Sequence, residues 1–221
     1  MDILDIFYED LTQGISIADL LLRYPVVVEF VHGAGLTSDM RLARGRVKRL
    51  CDEVAPARRF AQATLQGSDL IQFPLDSGPI DCSVLPTTGK LRKIQITVAQ
   101  ARARLNVMRE LDEKGIGRGY LGVTDDRPTA EFMAAMSRER IMYSPGAAQK
   151  TLVDAIRLSL EKKGDPRGAN TLLIQVPLDI LPKNRVDDIL PELVQIATTS
   201  PFDEIFVVGN GEYRDSCIKL K

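Results

Sequence analysis

The chain has 221 residues, 44% hydrophobic and 27% charged, with a formal net charge of −1 and a pI of about 6.0. That length suits one sizeable domain, or one domain with an appended subdomain. The near-neutral charge argues against a uniformly basic nucleic-acid coat but leaves room for a local basic patch, and the absence of Trp argues against a base-stacking platform of many rings.

Cys51, Cys82 and Cys217 are odd in number and form no C-x-x-C pair, so neither a zinc knuckle nor a disulfide framework is expected. Reduced thiols in a cytoplasmic protein are the simplest reading. The opening Met1-Asp2 lacks a basic n-region, and no apolar run has the length of a membrane span. A signal peptide and a membrane partner are therefore not expected. His32 is the sole histidine and there is no G-x-S-x-G elbow, which argues against a hydrolase triad and a multi-histidine metal site.

In chain order, residues 2–24 read as helix, interrupted at Gly14-Ile15-Ser16, with Ser16 capping a second segment that carries Ile17, Leu20 and Leu21. Val26 to Val31 is strand or buried helix, and periodicity does not decide between them. Residues 1–37 thus form an N-terminal helical extension that either packs on the core or serves as the arm of a homodimer. Ser38 is placed to cap a helix over about 39–54 bearing Arg41, Arg44, Arg46, Lys48 and Arg49. Such a face is either simply solvated or a nucleic-acid contact through phosphates. Pro56 opens a further short helix that ends near Gly67, and a strand is predicted over 69–73.

A hairpin follows. Ile80-Asp81-Cys82-Ser83-Val84 alternates, Pro86 to Lys90 has turn chemistry, and Leu91 to Val98 alternates again. Lys93, Gln95 and Thr97 share one face of the second strand. A helix is expected over 99–114, a short strand over 119–123, and helices over 128–138 and from Pro145 to about Lys163. Gly115-x-Gly117-x-Gly119 follows a helix instead of opening one, so it fits neither a dinucleotide fingerprint nor a P-loop. Thr171–Val176 and 203–209 read as strands buried on both faces, with a helix over 186–198 between them, the pattern of a right-handed parallel crossover.

The hairpin resembles the PD-(D/E)XK nuclease superfamily, the restriction-endonuclease-like fold, in which an Asp on one strand is followed by Glu-x-Lys on the next. Asp81 matches that Asp. Gln95 stands at the acid and Thr97 at the lysine. The element order extends the resemblance over about residues 50–221. It implies an α/β domain over 38–221, a mixed sheet flanked by helices, after the helical region 1–37. It also implies a Mg²⁺ site of Asp81, Gln95 and Glu53, the last from the helix before the hairpin. Gln95 can ligate a cation through its amide oxygen, with less charge than an acid would supply. Lys93, on the same face, can stand in for the missing lysine. Two readings stay open: metal-dependent hydrolysis of DNA or RNA phosphodiesters by a centre with degraded catalytic residues, and a non-catalytic module of the same fold that serves a protein partner.

Overall fold

The computed structural model describes residues 1–76, 78–117, 124–136, 144–210 and 217–221. It is an α/β protein with an open mixed sheet of seven strands in the order β1-β2-β3-β4-β5-β6-β7. The strands are β1 (Ile15–Ser16), β2 (Leu70–Gln72), β3 (Cys82–Leu85), β4 (Arg92–Val98), β5 (Thr171–Val176), β6 (Glu204–Gly209) and β7 (Cys217–Lys219). Strands β1 to β4 pair antiparallel, β4 to β6 parallel, and β7 returns antiparallel to β6. The strand expected over 119–123 lies outside the described residues.

The amino-terminal helices follow from local signals. In α1 (Ile3–Gln13), Asp2 and Asp5 form a reciprocal capping box, and Leu4, Phe7 and Leu11 make the buried stripe. Ser16 caps α2 (Ile17–Gly33) by accepting from the Asp19 N–H. The ambiguous Val26 to Val31 stretch is helical. The buried residues Ile17, Leu20, Tyr24, Val27 and Val31 recur at alternating steps of three and four, the period of a helix face. Both helices enter the same core as Ile71, Val84, Ile94 and Phe206, and Ile15 joins the sheet through its pairing with Ile71. Leu20 is in that core and Leu21 packs against it, whereas Leu22 is 73% exposed.

The continuous helix expected over 39–54 is not formed. A short α3 (Thr37–Arg41) ends where Ala43 and Gly45 take positive φ of 45° and 58°. A 3₁₀ turn (Gly45–Val47) and a π turn (Leu50–Val54) then lead into α4 (Ala55–Thr64). Pro56 accounts for the π turn. It has no N–H to donate and its ring crowds the carbonyl four residues back, so the helix widens and the Ala55 N–H reaches the Leu50 carbonyl.

Strands β5 and β6 alternate between two cores. Leu173, Phe206 and Val208 face the core under α1, α2 and α4, where Phe60 of α4 meets Phe206 edge-on at 4.9 Å. Leu172, Ile174, Ile205 and Val207 face the core under α7 (Pro145–Lys162) and α8 (Lys183–Thr198). Cover on both faces explains the unbroken apolar run of β5. Between β4 and β5 lie α5 (Ala101–Lys114) and α6 (Thr129–Met136), which bury Ala103 and Phe132 against each other with the Arg102 guanidinium 4.3 Å from the Phe132 ring centre. Loops are pinned as well. The buried Asp69 carboxyl accepts from the backbone N–H groups of Gln66 (2.9 Å) and Thr87 (2.8 Å), tying the start of β2 to the hairpin loop.

Because residues 1–33 share the core of the sheet, they are expected to unfold with it. Phe7→Ala should cost about 3–5 kcal/mol, the usual range for emptying a buried aromatic site. Urea denaturation followed by circular dichroism should show one displaced transition; a separate early transition with the main one unmoved would contradict the shared core.

Candidate functional site

The site forms where β3 begins beside the middle of β4. The Asp81 N–H donates to the Ile94 carbonyl at 2.9 Å, and the Ile96 N–H donates to Asp81 Oδ2 at 2.6 Å. With Cys82 opposite Ile94, the register brings Asp81 beside Gln95. Cys82, Val84, Ile94 and Ile96 point into the first core, so alternation puts Lys93, Gln95 and Thr97 on the opposite face. Glu53 approaches Asp81 from the π turn, whose Leu50 and Val54 lie in the first core. It is close enough to Asp81 for the two carboxylates to repel, and both act on the buried Cys82 thiol.

Burial raises the Glu53 carboxyl from 4.5 to about 7, and repulsion from Asp81 adds to that, against the pull of Arg49. Asp81 is also raised, first by burial; the Ile96 N–H, Lys163 and Arg49 act the other way. Asp52, next to Glu53, is raised by burial despite Arg104, whose guanidinium lies 4.0 Å from it. Gln95 is 5% exposed. Its Nε2 donates to the Pro79 carbonyl at 3.1 Å, while its buried Oε1 has no hydrogen-bond partner among the described residues. Thr97 is half-buried on the same face, opposite Ile174 of β5. Lys93 is exposed and lies opposite Ser83, one same-face step from Gln95.

Register sets Asp81 beside Gln95, with Thr97 and Lys93 along the same strand, and Glu53 comes within electrostatic reach of Asp81 from the π turn. Among the described residues no group of three or more His, Cys, Asp or Glu side chains is arranged to hold a metal. Any cation here would rest on the Glu53 and Asp81 carboxylates plus the Gln95 amide oxygen.

The basic stretch is spent largely on the protein itself. Arg41 pairs with Asp112 at 3.5 Å, Arg44 with Asp39 at 2.6 Å, and Arg46 with Asp2 at 2.9 Å and Asp5 at 2.5 Å. The Arg49 guanidinium donates to the Asp76 carbonyl at 3.1 Å, and Lys48 is exposed. These contacts fasten residues 38–49 to α1 and α5 instead of presenting one cationic helix face.

Lys163, just past the end of α7, was not distinguishable in the sequence. A Lys162-Lys163 pair before Gly164 reads as the ordinary cationic end of a helix. The structure brings Lys163 within electrostatic reach of Asp81. No helix among the described residues is long and apolar enough to cross a membrane. No protein-family model, curated protein or solved structure matches this chain.

The raised carboxyl of Glu53 sets a pH dependence. The folded protein holds this proton to higher pH than the unfolded chain, so stability falls as pH rises from 4.5 through about 7. Asp81 acts in the same direction. Urea midpoints measured from about pH 5 to about pH 8 should decline in the wild type and decline less in Glu53→Gln. Parallel profiles would contradict the burial of Glu53 beside Asp81.

Proposed function

We propose that the chain is a restriction-endonuclease-like protein whose Glu53–Asp81–Gln95 notch binds a divalent cation and acts on the phosphodiester backbone of nucleic acid. The observation that carries this reading is the buried, unpartnered Gln95 Oε1 beside Asp81, whose carboxyl is raised by burial and repels that of Glu53. A buried acceptor without a donor costs about 1–3 kcal/mol. The two half-buried carboxylates of Glu53 and Asp81 repel one another as well. A hard cation relieves both penalties, and carboxylate and amide oxygens are its usual ligands. The donor set fits Mg²⁺ or Mn²⁺, with weaker affinity than a three-carboxylate site. A cation held there would polarise a phosphate oxygen and lower the pKa of water.

The architecture supports the reading through its order: helix, antiparallel hairpin, then a parallel crossover to β5 and β6. This chain's own residues have separable tasks. Asp81, fixed by the Ile96 N–H, holds its carboxylate at the mouth of the notch. Glu53 comes from the π turn, a distortion that recurs at functional sites. Gln95, anchored through Nε2 to Pro79, keeps its oxygen free. Thr97 carries no charge, so it cannot supply a cation to the phosphate.

The second reading is a non-catalytic module of the same fold that serves a protein partner. It is favoured by the internal ion pairs of Arg41, Arg44 and Arg46, which leave fewer cations for a phosphate backbone.

The readings separate in a cleavage assay on labelled single- and double-stranded DNA and RNA with Mg²⁺ or Mn²⁺. The nuclease reading predicts metal-dependent cleavage that falls about a hundredfold or more in Asp81→Ala. Cleavage unchanged in that variant would reject this site, and no cleavage with any substrate would favour the interaction module.

A further inference from the structure

We propose that Lys163 grips a non-bridging phosphate oxygen of a nucleic-acid strand laid across the notch. The inference rests on the nucleic-acid reading above and names a residue that reading does not contain.

The placement follows from topology. α7 covers the sheet face formed by Leu172 and Ile174, the face opposite the one that takes Ile94 and Ile96. Gln95 and Thr97 lie on that α7 face by alternation. Helix α7 ends at Lys162, and the chain re-enters the sheet at Thr171. So short a return keeps the end of the helix near the start of β5. Asn170 fixes that start against β4: its N–H donates to the Lys93 carbonyl at 2.9 Å and its Oδ1 accepts the Lys93 N–H at 2.8 Å. Lys163 therefore lies in the short return between α7 and the start of β5, within electrostatic reach of Asp81.

Its bonding state is the second observation. Lys163 is half-buried and acts on Asp81, yet among the described residues its ammonium forms no ion pair within 4.0 Å. A structural counter-ion would have closed on the carboxylate. The neighbouring acid in its loop, Asp165, is taken by Arg167 at 3.6 Å. Arg49 acts on Glu53 and Asp81 from the π-turn side while bonded to the Asp76 carbonyl. Asp81 is thus flanked by cations from two elements, and the one that follows α7 acts on it without closing into an ion pair. A space between an ammonium and two carboxylates that share a cation is suited to an oxyanion.

The test uses the full chain and a fluorescein-labelled oligonucleotide in Ca²⁺, with affinity measured by anisotropy over a salt series. Lys163→Gln should weaken binding about three- to tenfold and reduce the slope of log K against log salt by about one. Lys163→Arg should keep the slope, and so should Lys150→Gln, an exposed lysine elsewhere on α7. The proposal is overturned if Lys163→Gln leaves the slope unchanged, if Lys163→Arg or Lys150→Gln lowers it equally, or if the wild type binds no oligonucleotide. A Mn²⁺ titration followed by electron paramagnetic resonance judges the cation site separately: absent Mn²⁺ binding rejects that site whatever the salt slopes show.

Discussion

A strand with cover on both faces leaves its polar side chains nowhere to find water, and β4, fourth in a sheet of seven, carries Gln95 in that position. The consequences spread outward. Ile94 and Ile96 fix one side of β4 in the core under α1, α2 and α4, so Gln95 must face the other way. One amide hydrogen goes to the Pro79 carbonyl, which draws the chain entering β3 close to β4. That approach sets Asp81 where its carboxylate takes the Ile96 N–H. Pro56 forces the π turn that brings Glu53 within electrostatic reach of Asp81. Asp81 thus stands between Gln95 across the hairpin and Glu53 on the π turn because a central strand, a strand start and a helix defect are locked together by packing.

Much of the scaffold was legible because its signals are local. Ser16 caps the second helix, as its position after Gly14 implies, and Ser144 caps α7 ahead of Pro145 by accepting the Ala147 N–H at 3.2 Å. The alternating runs around the 86–90 turn pair as β3 and β4, and the apolar runs at 171–176 and 204–209 are the parallel strands β5 and β6. The sequence failed where the chain depends on distant partners. The stretch 39–54 has helical composition, but Ala43 and Gly45 adopt left-handed backbone while Arg44 and Arg46 are held by Asp39, Asp2 and Asp5. β7 is only three residues long and draws its identity from β6.

The site divides the same way. Asp81 and Gln95 are neighbours across one hairpin, so their meeting is a register statement that a sequence can carry. Glu53 depends on a helix irregularity, and Lys163 on a crossover that returns α7 over the β5 face of Leu172 and Ile174. Neither leaves a pattern in the residues that distinguishes it from a surface acid or a helix-end lysine. Charge is apportioned unevenly as well. The arginines of residues 41–46 pair with acids of the protein itself, whereas the cations that act on Glu53 and Asp81 are Lys48 and Arg49 from the π-turn side and Lys163 from the end of α7.

The central claim is that Gln95 Oε1 and the Glu53 and Asp81 carboxylates form one oxygen cluster able to hold a hard cation. Anomalous diffraction from crystals soaked in Mn²⁺ tests it most directly. The account predicts a peak in bonding contact with all three side chains. Crystals with no peak there, in which Gln95 Oε1 instead accepts a hydrogen bond from the protein or a water, would contradict it.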